Sequence, residues 1–141
     1  MKKIYTILLV AIIAVALGSC RKLALHGDFS GMWQVLTIEY PDGTLVESNH
    51  DYYYCFNRNV VMLREYGNKY VIGNMVYHET DFSLQFFRVS TRYLSNWGMT
   101  MPDSAPQVLD EFVVHFTVDE RNSKHMVITS DEGITVTLRK Y

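Results

Sequence analysis

The most regular alternation of apolar and polar positions lies in the last third of the chain. Phe112, Val114, Phe116 and Val118 alternate with Glu111, Val113, His115, Thr117 and Asp119. Met126 and Ile128 alternate with Val127 and Thr129, and Ile134, Val136 and Leu138 with Thr135, Thr137 and Arg139. A period of two sends one set of side chains to each face of a strand, so these runs predict three half-buried strands. The sequences Glu120-Arg121-Asn122-Ser123 and Ser130-Asp131-Glu132-Gly133 supply the turns between them. Upstream, Phe82, Leu84 and Phe86 alternate with Ser83 and Gln85 over residues 82–88, a further strand with a core side. Residues 32–40, 51–56, 60–65 and 70–78 are rich in Tyr, Phe and Val, which suit a pleated surface, and no helical spacing of comparable length competes with them. Pro41-Asp42-Gly43-Thr44, Asn57-Arg58-Asn59, Tyr66-Gly67-Asn68-Lys69 and Glu79-Thr80-Asp81 separate these runs.

Eight strands joined mostly by short turns predict an all-β fold with antiparallel neighbours in up-and-down order, and eight is a number at which a sheet can close into a barrel. Closure removes the two edges that invite aggregation. A two-sheet sandwich satisfies the same alternation. The outward faces are too polar to meet lipid, which argues against a membrane-spanning barrel.

Residues 91–107 break the rhythm. They hold Tyr93, Leu94, Trp97, Met99 and Met101 together with Pro102 and Pro106. Ser90 or Thr91 can cap a short helix that Gly98 ends, and the prolines force an extended return. Connections longer than about 12 residues are uncommon in compact domains unless they serve as lids or binding loops. Burial of the aromatics as a plug at one end of the core is the alternative.

The N-terminus has a different pattern. Lys2 and Lys3 precede an apolar run over residues 4–17, and Leu17-Gly18-Ser19-Cys20 ends it. A charged start, an apolar span and small residues before the cleavage point mark a secretory signal. An uncleaved membrane helix would need about 20 predominantly apolar residues, more than this run offers. The cleavage site resembles a bacterial lipobox, in which Cys20 becomes the acylated first residue. The expected organisation is a signal over residues 1–19, a lipidated tether over 20–30 and one domain over 31–141.

Removal of the signal leaves 11 Lys and Arg against 15 Asp and Glu, a net charge near −4. No basic stripe runs along any segment, which argues against a nucleic-acid partner. With Cys20 acylated, Cys55 has no disulfide partner, and a lone cysteine in a strand-like run reads as a small hydrophobe. His26, His50, His78, His115 and His125 form no metal-binding spacing with one another or with Cys and carboxylates, and each reads as a surface or turn residue. No phosphate loop or nucleophile elbow occurs, and Asp119-Glu120 and Asp131-Glu132 fall at turns. The expectation is a non-enzymatic protein without cofactor or metal.

Gly31-Met32-Trp33, Leu94-Ser95-Asn96-Trp97-Gly98 and the ending Thr137-Leu138-Arg139-Lys140-Tyr141 resemble the lipocalin-like lipoproteins of the Bacteroides group. Gly31 and Trp33 match the Gly-any-Trp opening of the lipocalin superfamily. The resemblance implies a lipocalin-like barrel with Trp33 near its closed end and Arg139, near the end of the last strand, packed over the indole. Alternation puts Arg139 on the face opposite Leu138, so that contact requires the strand end to bend. The Thr-Asp-Tyr motif that many lipocalins carry is absent, and neither a transport function nor a ligand transfers. Lipoproteins of this group bound for the cell surface often carry an acidic run after the cysteine. Its absence here points to the periplasmic face of the outer membrane.

Two functions follow. In one, the anchored barrel binds a small apolar or amphipathic ligand in its mouth, with Tyr52, Tyr54, Phe86 and Trp97 supplying aromatic lining. In the other, large side chains fill the barrel and its loops contact an envelope protein.

Overall fold

The computed structural model describes residues 27–67, 69–101 and 104–141. The signal segment, Cys20 and the tether through His26 lie outside the described residues, as do Asn68 of one turn and Pro102 of the long connection. Nine strands lie among the described residues. They are β1 Gly31–Glu39, β2 Leu45–Glu47, β3 Tyr52–Asn57, β4 Val60–Glu65, β5 Lys69–His78, β6 Asp81–Ser90, β7 Val108–Arg121, β8 His125–Ser130 and β9 Thr135–Lys140. A 3-10 turn, Gly27–Phe29, precedes β1, and helix α1, Thr91–Leu94, runs into a second 3-10 turn, Ser95–Trp97, between β6 and β7.

From β3 to β9 each strand pairs antiparallel with the next, and β1 pairs with both β3 and β9. That last pairing closes an eight-stranded barrel and decides against the two-sheet sandwich, which leaves edges open. The ninth strand, β2, lies outside the expected set. It pairs with the far half of β1, Ile38 opposite Val46, after a turn in which Thr44 N donates to Asp42 Oδ1 at 2.8 Å. All three of its side chains are exposed, so it has no core face for alternation to reveal.

Alternation is weakest in β1, and a bulge is the cause. Val35 is opposite Leu138 and Thr37 opposite Thr137, so Leu36 is an extra residue on one side of the pair. Trp33 and Val35 point inward before it and Ile38 after it, a switch of parity that strict period two cannot follow. A second bulge, between Val118 and Glu120, bends β7 against β8.

The inward set fills the barrel. Phe29, Trp33, Tyr54, Phe82, Phe86 and Phe116 have no solvent exposure. Five of the inward rings form a connected stack: Phe29 lies 4.3 Å from Phe56 and 5.2 Å from Phe82, Phe82 lies 5.3 Å from Phe116, and Tyr54 lies 5.6 Å from Phe56 and 6.4 Å from Phe116. Offset and edge-on pairs at these separations are favourable beyond the area they bury.

Candidate functional site

The end of the barrel reached by β6 and β7 is its mouth, and residues 94–99 of the connection between them close it. Thr91 N donates to Gln107 O at 3.0 Å and the Thr91 hydroxyl to the Pro106 and Gln107 carbonyls at 3.3 Å, which ties the two ends of the connection together. The hydroxyl therefore staples the loop and does not cap α1. Gly98 ends the short helical stretch with φ 78° and ψ 21°, the left-handed conformation that favours glycine. A Cβ at Gly98 would overlap Val136 Cγ2 and sit 3.5 Å from Ile134 and 3.7 Å from Ile38. The backbone here is thus seated directly on β9 and β1.

Three of the four residues expected to line a ligand site meet at this plug. Trp97 Nε1 donates to Tyr53 O at 3.1 Å, the Tyr54 hydroxyl donates to Trp97 O, and the Tyr52 ring stands edge-on to Trp97 at 5.1 Å. Burial pushes the Tyr54 hydroxyl well above the usual tyrosine range, so it stays protonated and keeps donating. Leu94, Trp97 and Met99 are all buried. Phe86 does not join this group by any ring contact. It lies on Gly73 of β5, where a Cβ would come within 2.5 Å of the ring. A solvent-facing groove of about 380 Å³ lies outside the plug, bordered by Ile38, Tyr40, Val46, Tyr52, Ser95 and Asn96.

At the closed end the Gly-any-Trp motif acquires a structural reason. Trp33 Nε1 donates to Phe29 O at 2.8 Å, which locks the N-terminal turn under the barrel. The cation over the Trp33 ring is Lys140, with Nζ 4.6 Å from the centroid, and not Arg139. Strand alternation is the reason: Lys140 is in register with Trp33, whereas Arg139 faces outward and donates to Gln34 Oε1 at 2.6 Å. Lys140 Nζ also donates to the Asp28 carbonyl at 2.7 Å and to the Ser30 carbonyl. A Cβ at Gly31 would lie 3.0 Å from Lys140 Cε, so glycine leaves room for the lysine stem.

One polar constellation had no sequence signal. His115 Nδ1 lies 2.9 Å from Asp131 Oδ1 and its Nε2 3.1 Å from Asp81 Oδ1. The partners are 16 and 34 residues away, on the β8–β9 turn and at the start of β6. Hydrogen bonds to Asp131 and Asp81 raise the imidazole above its ordinary pKa, so the pair of carboxylates favours the charged ring. Beside it, Gly98, Met99 and Thr100 of the plug border a small pocket of about 110 Å³ with Phe112, Ser130 and Glu132, and the Thr100 hydroxyl donates to Glu132 Oε2 at 3.2 Å. The arrangement clamps β6, β7 and the β8–β9 turn. Among the described residues no set of three His, Cys, Asp and Glu side chains has the geometry to hold a metal ion. Cys55 lies on the outer face of β3, half-buried, and desolvation pushes its thiol up in pKa, which leaves it a weak nucleophile.

A family model described as a lipocalin-like domain matches residues 15–141. A crystal structure of a lipocalin-like protein from Bacteroides uniformis superposes with a TM-score of 0.62 at 19% identity, covering 82% of this chain and all of that one. An uncharacterized protein from Bacteroides eggerthii superposes with a TM-score of 0.58 at 21% identity, covering 79% of this chain and 98% of that one. No curated protein matches the chain.

Proposed function

This chain belongs to the lipocalin-like domain family, and on that premise we propose that it is a lipid-anchored, non-enzymatic module of the bacterial cell envelope that works by surface contact with an envelope protein. The observation that carries this reading is the filled barrel. An eight-stranded barrel is just wide enough for its own side chains or for one small ligand. Here the aromatic stack from Phe29 to Tyr54 occupies the interior, and Trp97 seals the mouth with 2% exposure and hydrogen bonds through both its indole and its carbonyl. Entry of a ligand would displace Trp97, leave the Tyr54 hydroxyl without its acceptor and push rings out of contact. The lipobox-like Leu17-Gly18-Ser19-Cys20 supports acylation at Cys20, and residues 21–27, which carry no acidic run, favour the periplasmic face of the outer membrane.

A second reading has an observation of its own. The groove of about 380 Å³ beside Tyr52 offers an aromatic wall with Asn96, Ser95 and Glu47 as polar partners, a place for a small amphipathic molecule that never enters the barrel.

Native mass spectrometry on protein extracted from native membranes separates the two. Surface contact predicts no small-molecule adduct and a blue-shifted Trp97 emission, read in a Trp33→Phe background, that fatty acid does not move. A co-purifying molecule whose removal shifts that emission overturns it in favour of the groove. The anchor is tested separately: Cys20→Ser should abolish incorporation of labelled fatty acid, and continued incorporation refutes acylation at this position.

A further inference from the structure

The outer wall of β3, β4, β5 and β6 has a composition that the barrel itself does not require. Cys55, Met62 and Ile72 form a row across three strands by direct pairing. Asn74 opposite Gln85 is the last pair of the β5–β6 ladder at this end, and Phe87 follows two residues further along β6. Val60 lies one step below the row. Exposure of these apolar side chains is large, at 44% for Val60, 57% for Ile72 and 55% for Phe87. A groove of about 340 Å³ runs between Cys55, Val60, Met62 and Ile72, with Arg58 at its lower end.

Charge is distributed unevenly around this wall. The mature chain carries more acidic than basic side chains, 15 against 11. The outward positions from Cys55 to Phe87 along the row nevertheless hold no carboxylate. The charged groups at their borders include three arginines, namely Arg58 at the β3–β4 turn, Arg64 opposite Tyr70 and Arg88 next to Phe87. Glu111 stands opposite Phe87, and its carboxylate accepts from Gln85 Nε2.

We propose that this wall rests on the anionic surface of the bilayer in which the Cys20 acyl chains sit, an inference that depends on the acylation proposed above. Two observations select lipid as the occupant. The first is where the described chain begins. Phe29 stacks on Phe56 and Gly31 is opposite Phe56, so the chain leaves for Cys20 at the same end as the β3–β4 turn and the lower end of the groove. Seven residue steps separate Gly27 from Cys20, a reach of at most about 25 Å, which keeps that end at the membrane. The second is complementarity: three arginines border an apolar row whose own positions carry no carboxylate, with acids at Glu111 on the β7 edge and Asp81 at the start of β6, and that arrangement matches lipid phosphates above acyl chains.

The test uses the full acylated chain in vesicles of phosphatidylethanolamine and phosphatidylglycerol. A Cys55→Ser background receives a single thiol by Ile72→Cys on the wall, or by Leu45→Cys on β2 at the other end of the barrel, each labelled with an environment-sensitive fluorophore. Doxyl-labelled lipid should quench the label at 72 at least about twofold more than the label at 45. Arg64→Gln with Arg88→Gln, or purely zwitterionic vesicles, should narrow that difference. Acylated protein that floats with the vesicles yet shows equal quenching at both positions overturns the wall contact and leaves the anchor standing. A label at 72 that is blue-shifted without doxyl quenching, and more so at high protein density, assigns the wall to a second copy or another protein and also overturns it. Protein whose mass lacks acyl chains and that does not float removes the anchor and this inference together.

Discussion

Replacing Gly98 with alanine asks whether the plug is seated on the barrel as tightly as its geometry implies. Two costs arise at one atom. At φ 78° and ψ 21° an L-side chain crowds its own carbonyl, which costs roughly 1–2 kcal/mol. The new methyl also overlaps Val136 Cγ2, which is held from behind by the β8–β9 pairing of Ile128 with Val136 and cannot withdraw freely. Overpacking of this kind costs typically about 1–3 kcal/mol. Gly98→Ala should therefore lower unfolding free energy by about 2–5 kcal/mol, a large share of the roughly 5–15 kcal/mol that holds such a domain.

Val136→Ala separates the two costs. Without Cγ2 the overlap vanishes, so Gly98→Ala in that background should cost only the backbone share, about 1–2 kcal/mol. Urea unfolding of the four proteins gives the coupling directly. Acrylamide quenching in a Trp33→Phe background gives a second readout, because Trp97 is buried and any gain in quenching then reports it alone. If the loop relieves the overlap by lifting, the midpoint moves less, but quenching rises in Gly98→Ala and falls back with Val136→Ala. Equal costs in both backgrounds with unchanged quenching would refute the close seat on β9.

Trp33→Ala should destabilise the fold by roughly 3–5 kcal/mol, whereas Val113→Thr on the outer face should stay within about 0.5 kcal/mol; equal effects would mean the strand register is wrong. Lys140→Met removes the cation over Trp33 and two hydrogen bonds to carbonyls and should cost roughly 1–3 kcal/mol in urea unfolding, more than Arg139→Met, and the reverse order would restore Arg139 to the indole. The His115 clamp has a defined pH sense. A folded-state pKa raised above the ordinary 6.5 contributes stability that is fully present below 6.5 and is lost as pH rises through the folded value. The gap in urea midpoint between the parent chain and His115→Gln should accordingly shrink from acidic to alkaline pH, and a gap independent of pH would show that the imidazole carries no charge in the clamp.

Legibility from sequence followed the range of the interactions involved. Phe112 to Val118 and Ile134 to Leu138 announced their strands because each residue's face depends only on its neighbours two positions away. The same local rule identifies Lys140, two positions beyond Leu138, as the inward cation; the superfamily pattern pointed to Arg139, and strand parity prevails. β2 left no trace because Leu45, Val46 and Glu47 bury nothing, and Leu36 hid a bulge because one extra residue changes parity without changing composition.

Contacts between distant segments account for the rest. His115 meets Asp81 and Asp131 only after the barrel has closed, and Trp97 becomes a plug only because Tyr53 and Tyr54, more than 40 residues earlier, present a carbonyl and a hydroxyl to it. The sequence offered Tyr54 and Trp97 as lining for a cavity on the strength of their aromatic surface. Closure uses that surface on itself, with the indole bonded to the Tyr53 carbonyl and the Trp97 carbonyl bonded to the Tyr54 hydroxyl. On the outside of the barrel Ile72 and Phe87 stay exposed at positions where the fold would accept polar side chains, apolar surface that the proposed bilayer contact would cover and that the interior packing does not need.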